Sequence, residues 1–395
     1  MSSESRAAYE LLATDGSARR GQVTTARGTF QTPVFMPVGT RGAVVHLDAG
    51  DYEHLGLEVV LANTYHLLAR PGIDVVEALG GLHGFSGWNG HFLTDSGGFQ
   101  IMSLGRADRA RQVPGSQDAM SSVDDAGVTF RSTYDGARMR LTPEDAVDAQ
   151  CRLGSDIQMA LDICPELPAA CEDVRRATER THLWAARAAA AMEAARRAGT
   201  AGGQALFGIC QGGVDPELRQ ASAETVASMG FDGYGIGGLS VGESRAEMGP
   251  ALRAATEVLP VDRPRYLMGV GDPARMVDAI AAGVDMFDCV LPSRLGRHGT
   301  ALTPQGRINI RNARFARDPA SLDPRSERTG GRVPPGARFS RGYLRHLMSV
   351  NEPTAGRILT LHNLAFLGDL VSDARAAIEA GRFGAFREQV NDVWG

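Results

Sequence analysis

Three aspartates, Asp95, Asp162 and Asp288, stand at the ends of apolar segments and could carry out chemistry together. Burying a carboxylate at the end of an apolar strand costs free energy, so such a carboxylate is expected to have a hydrogen-bonding partner or a functional role. Paired carboxylates suit substitution at an anomeric carbon, where one forms a covalent sugar ester and the other moves protons. The simpler interpretation is that each aspartate caps a helix or pairs with an arginine.

Glycine pairs also follow predicted strands, at Gly97-Gly98, Gly212-Gly213 and Gly237-Gly238. Glycine has no Cβ, so it lets backbone donors approach a flat ligand closely. An aspartate together with the Gln211 side chain could recognise the edge of a purine-like ring. These features indicate carboxylate chemistry beside a planar base, although a retaining glycoside hydrolase would show much the same pattern.

A repeated helix-strand unit in the middle of the chain must position these residues. Three predicted helices begin with an N-cap residue followed by proline, at Thr142-Pro143, Asp215-Pro216 and Asp272-Pro273. They end at glycines suited to a left-handed cap, each followed two residues later by an aspartate and an apolar run: Gly154, Gly230 and Gly283. Such alternation predicts an α/β protein with a parallel sheet.

Eight apolar segments are predicted to be strands: Val34–Val38, Val59–Asn63, Phe92–Asp95, Gln158–Asp162, Ala205–Cys210, Tyr234–Gly238, Tyr266–Gly271 and Met286–Leu291. Eight parallel strands with intervening helices indicate a (β/α)8 TIM barrel, whose chemistry lies at the carboxyl ends of its strands. A doubly wound open sheet is the alternative.

Two segments interrupt this pattern. The polar stretch from Arg106 to Gly127 is predicted to be a long loop of the kind that often forms a lid. The stretch from Asp318 to Gly336 is predicted to be irregular, and the tail from Phe339 is helical in pattern. We therefore expect a catalytic barrel over residues 1–317 and a C-terminal irregular and helical subdomain over residues 318–395, packed on the barrel.

All 41 basic side chains are arginines, and the chain contains no lysine. This excludes pyridoxal phosphate enzymes, Schiff-base aldolases and P-loop NTPases, which depend on a lysine amine. The net charge of -5 argues weakly against nucleic acid. Locally, however, twelve arginines face three acids between Arg294 and Arg345, which predicts a phosphate-binding surface. A solvated arginine-rich surface is the alternative.

The N-terminus has no apolar core of a signal peptide, and no segment is apolar enough to span a membrane. The five cysteines form no CxxC pair. We therefore expect a cytoplasmic protein with reduced thiols and no membrane partner.

Several motifs, in order along the chain, resemble bacterial tRNA-guanine transglycosylases from about Thr14 to Phe386. They are Gly39-Thr40, Asn63-Thr64-Tyr65-His66, Asp95-Ser96-Gly97-Gly98-Phe99-Gln100, Gly154-Ser155-Asp156, Gly208-Ile209-Cys210-Gln211-Gly212, Tyr266-Leu267-Met268-Gly269-Val270-Gly271 and Met286-Phe287-Asp288-Cys289-Val290-Leu291-Pro292. Each motif alone is weak, but together and collinear they are specific.

The resemblance implies that guanine at the wobble position of tRNAs with a GUN anticodon is exchanged for a 7-deazaguanine, a step toward queuosine. It implies that Asp288 is the nucleophile and Asp95 the general acid/base. It further implies base recognition by Asp162, Gln211 and the backbone of Gly238 and Leu239, with these residues beside or lining the pocket: Ser96, Gly97, Gly98, Phe99 and Met268. Cys164 and Val241 match the bacterial form, which uses 7-aminomethyl-7-deazaguanine, and Glu243 matches an acid near the backbone that senses the base.

The resemblance also implies two RNA-contacting segments. One comprises Gly269, Val270, Gly271, Asp272, Pro273, Ala274 and Arg275; the other comprises Ser293, Arg294, Leu295, Gly296 and Arg297. Asp272 stands where the bacterial form often has a basic residue, which puts that contact in doubt. A homodimer is the expected assembly, and no ATP or redox cofactor is expected because one glycosidic bond replaces another.

The family's structural zinc site is expected to be missing. Family members hold zinc through CxCxxC and a later histidine, but the chain has Arg325 to Arg332 at the triplet and no cysteine after Cys289. Only His362 matches a ligand, and one histidine cannot hold zinc, which needs about four ligands. We therefore expect no metal and no cofactor, and packing must replace the folding energy that zinc would contribute.

Two further readings of the resemblance remain open. A paralogue acting on DNA would keep the aspartates and reshape the RNA-contacting segments, and the intact Ser293–Arg297 stretch argues against it. A non-catalytic RNA-binding subunit should have lost one of Asp95, Asp162 or Asp288, and none is lost.

Overall fold

The computed structural model describes residues 6–101, 121–323, 333 and 335–395. The strands are β1 (Ala8–Asp15), β2 (Ala18–Thr25), β3 (Gly28–Thr32), β4 (Val34–Pro37), β5 (Val59–Ala62), β6 (His91–Thr94), β7 (Ser121–Val123), β8 (Val128–Arg131), β9 (Arg138–Leu141), β10 (Ile157–Met159), β11 (Ala205–Cys210), β12 (Gly233–Ile236), β13 (Arg265–Leu267), β14 (Met286–Cys289), β15 (Thr300–Thr303) and β16 (Gly306–Asn309).

The helices are α1 (Ala49–Leu55), α2 (Thr64–Ala69), α3 (Ile73–Ala78), α4 (Gly81–Ser86), α5 (Pro143–Leu153), α6 (Cys171–Ala198), α7 (Pro216–Ala227), α8 (Arg245–Thr256), α9 (Pro273–Ala281), α10 (Leu291–Arg297), α11 (Arg341–Ser349), α12 (Pro353–Glu379) and α13 (Phe383–Trp394). Short 3₁₀ helices cover Ala313–Arg317 and Pro335–Arg338. No helix in the described ranges is long and apolar enough to cross a membrane.

Eight parallel strands form the centre of the molecule, in the order β4-β14-β13-β12-β11-β10-β6-β5. A parallel bridge between Val38 and Leu61 joins the two ends of this sheet. The N–H of Gly39 also donates to the Leu61 carbonyl at 2.7 Å. The sheet therefore closes on itself, which confirms the predicted (β/α)8 barrel, and the doubly wound alternative is wrong.

All eight predicted strands are present, but most end earlier than predicted. Asp95 follows β6 directly and Asp162 lies three residues beyond β10, whereas Asp288 lies within β14. Asp95 and Asp162 lie outside the hydrogen-bonded ladder because the chain turns there toward the next helix. Asp288 still pairs with Met36 in the ladder, at the penultimate position of β14. All three carboxylates therefore lie at the carboxyl end of the barrel.

The predicted helix starts are confirmed, with Thr142, Asp215 and Asp272 as side-chain N-caps of α5, α7 and α9. Helix α5 ends at Gly154 in the left-handed conformation, as predicted. The other two end slightly earlier than predicted, because Gly230 and Gly283 lie beyond the cap residues Ser228 and Ala282.

Each aspartate that follows these glycines holds the amino end of the barrel together. The Oδ2 atoms of Asp156, Asp232 and Asp285 accept N–H groups of the adjacent strand at 2.8, 3.0 and 2.8 Å. Each also pairs with an arginine: Arg27, Arg196 and Arg19, respectively. At the amino end of the barrel, aspartates beside strands therefore have a structural role, because each pairs with an arginine.

The same end is closed by an antiparallel sheet of β1, β2 and β3. Side chains from this sheet, such as Tyr9 and Phe30, pack in one cluster with the barrel interior, including Met36 and Met286. Apolar packing fills the amino half of the barrel and leaves the carboxyl end as the accessible one.

The predicted loop from Arg106 to Gly127 is wrong in its last part, because Ser121–Val123 forms β7 and pairs with β8. A short polar edge strand lacks the alternation by which strands are recognised. Residues 106–120, where a lid was predicted, lie outside the described residues. In the predicted irregular segment, Ser321 forms an isolated bridge to Ser340, and residues 324–332 and 334 lie outside the described range.

The helical tail is confirmed as α11, α12 and α13. Helix α12 crosses α10 so closely that a Cβ on Gly296 would lie 2.6 Å from the Thr360 nitrogen. Asn363 donates to the carbonyls of Pro292 and Thr300 at 3.0 Å each. The C-terminal helices thus fasten the segment that leaves β14, immediately after Asp288.

Candidate active site

A cleft of about 410 Å³ opens at the carboxyl end of the barrel. Asp95, Asp162 and Asp288 all line it, although they come from three different strands. The other predicted site residues on its wall are Phe99, Cys164, Gly238, Leu239, Val241, Met268 and Gly269. The tertiary structure therefore brings the chemistry-bearing residues of the sequence into one cavity.

Asp288 is held through only one of its carboxylate oxygens. The Tyr266 hydroxyl donates to Oδ1 at 2.6 Å, and the Gly269 N–H donates to the same atom at 2.7 Å. Burial raises the pKa of the Asp288 carboxyl, and these two donors oppose that rise. No hydrogen bond from the described residues reaches Oδ2, so this oxygen remains available to a bound molecule.

Asp95 is held through both oxygens. Its Oδ2 accepts from Asn63 Nδ2 at 2.5 Å and Gln100 Nε2 at 2.7 Å, and its Oδ1 accepts from the backbone N–H groups of Thr64 and Gly97 at 2.9 and 3.1 Å. Burial raises the pKa of Asp95 to about 6 despite these donors. A carboxyl with such a pKa can both release and take up a proton near neutrality.

Asp162 also lines the cleft and accepts Gln211 Nε2 at 2.6 Å. Burial raises the pKa of Asp162 to about 6, and the charge of Asp95 contributes in the same direction. Gln211 is fully buried behind the cleft, so the structure places it as a support of Asp162 and of the neighbouring glycines.

The segment that follows β12, from Gly237 to Val241, lines another part of the cleft. A Cβ on Gly238 would lie 2.2 Å from Gln211 Oε1, and its φ of +68° also favours glycine. Beyond it, Glu243 accepts the N–H groups of Ser240 and Val241 at 2.5 and 3.0 Å. These contacts fix the backbone after β12 at the edge of the cleft. Phe99 stands at the mouth with 48% of its surface exposed, where its ring could stack on a flat base.

Ser96, Gly97 and Gly98 do not line the cleft within the described part of the chain. The N–H of Gly97 donates to Asp95 instead, and the N–H of Gly98 donates to Ser96 Oγ at 3.4 Å. A Cβ on Gly98 would lie 2.7 Å from the Leu161 side chain. These residues shape the turn that presents Asp95.

The two segments that are predicted to contact RNA differ in exposure. Arg294 and Gly269 are exposed, while Arg275, Arg297, Asp272 and Leu295 are half-buried. The buried members are Val270, Gly271, Pro273, Ala274, Ser293 and Gly296. These buried residues are not accessible at the surface, so any contact with RNA from these segments falls to the exposed and half-buried residues.

Asp272 is engaged within the protein. Its side chain caps α9 by accepting the Arg275 N–H at 3.3 Å, and its other oxygen pairs with Arg307 at 2.8 Å. The arginine comes from the β15–β16 hairpin and keeps almost half of its side chain exposed. The carboxylate that departs from the family pattern therefore has a cation directly beside it.

Two of the aspartates are held by residues for which the motifs predicted no role: Asn63 and Gln100 at Asp95, and Tyr266 at Asp288. Arg219 was not among the predicted site residues, and its fully buried side chain donates to backbone carbonyls behind the cleft. Polar residues directly after a strand end could have indicated Asn63 and Gln100. Nothing in the sequence distinguishes Arg219 from a surface arginine of α7.

The described residues do not fit the structural zinc that the resemblance implies. No group of three or more histidine, cysteine, aspartate or glutamate side chains within the described ranges could hold a metal ion. His362 donates from Nε2 to the Leu302 carbonyl at 2.7 Å, and its Nδ1 side faces Gly336. The segment that replaces the cysteine triplet, residues 325–332, lies outside the described residues.

Known proteins match this chain over nearly its whole length. The family model for queuine tRNA-ribosyltransferase matches residues 15–394. A queuine tRNA-ribosyltransferase from Herpetosiphon aurantiacus is 47% identical over 380 residues, covering 96% of this chain and 91% of the relative. The corresponding proteins of Rhizobium meliloti and Thermus thermophilus are 45% and 46% identical, covering 98% and 96% of this chain and 96% and 92% of their own.

Proposed function

The chain belongs to the queuine tRNA-ribosyltransferase family of pentosyltransferases, and we propose that it exchanges guanine at the wobble position of GUN-anticodon tRNAs for 7-aminomethyl-7-deazaguanine. The convergence of Asp95, Asp162 and Asp288 in one cleft carries this proposal. A non-catalytic subunit would have no need of three buried carboxylates there, which are costly to keep.

In this proposal the target nucleotide leaves its stack and enters the cleft base first. Asp162 accepts N–H groups on the edge of the purine, while the backbone of Gly238 and Leu239 meets the opposite edge. Phe99 covers the face of the base. The cleft volume of about 410 Å³ suits a ligand of this size.

The reaction proceeds through a covalent ribosyl-aspartate. Oδ2 of Asp288 attacks the anomeric carbon C1′, the C1′–N9 bond breaks, and its electron pair leaves with guanine, which takes a proton from Asp95. The incoming deazaguanine then gives its N9 proton to Asp95 and displaces Asp288. Oδ1 of Asp288 stays hydrogen-bonded to Tyr266 and Gly269, so the carboxylate keeps its orientation.

Arg294 and Arg297 on α10 would bind phosphates that flank the target nucleotide, because this helix follows β14 directly. A homodimer and a cytoplasmic location are parts of the same proposal, taken from the resemblance. No cofactor is needed, because one glycosidic bond replaces another.

Labelled guanine incubated with unmodified GUN-type tRNA tests the proposal. The protein should incorporate the label, and Asp288→Asn should lower the rate at least about 1,000-fold because the nucleophile is lost. Asp232→Asn is a matched control, since Asp232 is a buried aspartate at the amino end of the barrel. Absence of incorporation by the parent, or normal incorporation by Asp288→Asn, would contradict the proposed function.

A further inference from the structure

Arg219 on α7 is a buried cation behind the cleft, and the mechanism above does not use it. Its side chain is 0% exposed. Within the described ranges it takes part in no salt bridge, and Glu243, the carboxylate that acts on its charge, is engaged with backbone N–H groups instead. An unpaired charge in the interior is costly and calls for an explanation.

The guanidinium binds three backbone carbonyls on two neighbouring strand ends. Nη1 donates to the carbonyls of Cys210 and Gly237 at 3.2 and 2.7 Å. Nη2 donates to the carbonyl of Gly213 at 2.5 Å. One cation therefore joins the loops after β11 and β12, which carry Gln211 and Gly238.

The orientation of one peptide group connects this cation to the cleft. The Gly237 carbonyl and the Gly238 N–H belong to the same planar trans peptide, so they point in opposite directions. Because the carbonyl points to Arg219, the N–H points away from it, toward the cleft that Gly238 lines. This N–H makes no hydrogen bond to any residue that the structure describes.

We propose that Arg219 is a positioning residue that polarises the Gly237-Gly238 peptide, so that the Gly238 N–H stabilises the negative charge of the departing base. This rests on the proposed function. When the C1′–N9 bond breaks, its electron pair spreads over the purine toward the ring carbonyl oxygen until Asp95 supplies a proton.

A cation bound to the carbonyl side strengthens the N–H donor on the other side, because hydrogen bonds in a chain polarise one another. The donor is already in place before the reaction, so no reorganisation is needed as charge develops. The alternative is that Arg219 only clamps the two loops, which would affect folding and base binding but not the chemical step selectively.

Two substitutions separate these roles. Arg219→Gln removes the charge, and it should lower kcat for guanine exchange about 10- to 100-fold while KM for the base changes only a few-fold, since the charge develops in the transition state. Arg219→Lys keeps a cation, and near neutral pH its kcat should stay closer to the parent value.

The lysine variant supplies a second measurement. Burial lowers the pKa of an ammonium group, so kcat of Arg219→Lys should fall with increasing pH in an additional ionisation that the parent lacks. Circular dichroism over the same pH range shows whether the variant stays folded.

Arg265→Gln is the matched control for Arg219→Gln. Arg265 is 6% exposed and donates to the carbonyls of Leu259 and Gly283 at 2.7 and 3.4 Å, at the opposite end of the barrel.

Arg219 only holds the two loops together if Arg219→Gln and Arg265→Gln lower kcat by the same factor. The same conclusion follows if Arg219→Gln changes kcat and KM by equal factors. Should Arg219→Gln not fold, the pH profile of Arg219→Lys decides alone, and a profile superimposable on that of the parent rejects the proposal. A parent protein without exchange activity would instead refute the proposed function, which is a separate result.

Discussion

The three aspartates have different environments although they share one cleft. Among the described residues, Asp95 accepts from four donors through both oxygens, Asp162 accepts from the side chain of Gln211, and Asp288 accepts from two donors at Oδ1. Residues of the same type can therefore have different tasks, because their neighbours differ. A carboxylate with one unbound oxygen suits attack, and one with a pKa of about 6 suits proton transfer.

The raised pKa of Asp162 leads to a prediction about base binding. Only the ionised carboxylate accepts two N–H groups, and burial puts its pKa at about 6. Affinity for free guanine should therefore decrease as the pH falls through 6, by up to about tenfold per pH unit below it. Calorimetric titration between pH 5 and 8 measures this dependence.

Asp162→Asn should bind the base weakly and show no such transition. Asp95→Asn should retain the transition at a lower pH, because the charge of Asp95 contributes to the raised pKa of Asp162. A parent protein whose affinity is constant from pH 5 to 8 would show that ionisation of Asp162 does not control base binding.

At the scale of elements, the strand ends determine the site. The cleft is lined from the carboxyl ends of seven of the eight barrel strands: β4, β5, β6, β10, β12, β13 and β14. Helix α10 leaves β14 and is fastened by α12, so its arginines have a defined position relative to Asp288. The proposed phosphate contacts and the proposed nucleophile thus lie on one continuous segment of chain.

Arg294→Ala and Arg297→Ala test the surface of α10. Each should weaken binding of GUN-type tRNA and reduce the slope of log affinity against log salt by about 0.7, the value for one single-strand phosphate contact. Fluorescence titrations at several salt concentrations give this slope. Binding of free guanine should not change.

The matched control is Arg253→Ala, an exposed arginine on the outer helix α8. An unchanged slope in both α10 variants, or an equal loss in the Arg253 variant, would count against a specific phosphate-binding role for α10.

At the scale of the whole molecule, the chain combines a net charge of -5 with an arginine-rich stretch that begins in α10, shortly after Asp288. The same stretch enters the C-terminal subdomain, where the family pattern has cysteines and this chain has none. Apolar packing links that subdomain internally, in a cluster that includes Leu322, Leu344 and Leu359. If the subdomain binds no metal, apolar packing of this kind must supply the folding free energy that a metal would contribute.

Metal analysis of the purified protein should find less than about 0.1 zinc per chain, because a zinc site needs about four ligands. Treatment with a chelator should leave both the unfolding temperature and the exchange activity unchanged. A tightly bound zinc in each chain, or a lower unfolding temperature after chelation, would overturn the expected loss of the site.

The sequence by itself predicted the barrel and the three aspartates at its strand ends, because helix caps, apolar runs and collinear motifs are local properties of the chain. It also located the arginine-rich segment along the chain, since the position of each arginine can be read directly. Only the tertiary structure decided which aspartates share a cleft and which, such as Asp285, hold the amino end together. It alone placed Arg219 against the back of the Gly238 peptide, because burial and the direction of a carbonyl depend on contacts between segments far apart in sequence.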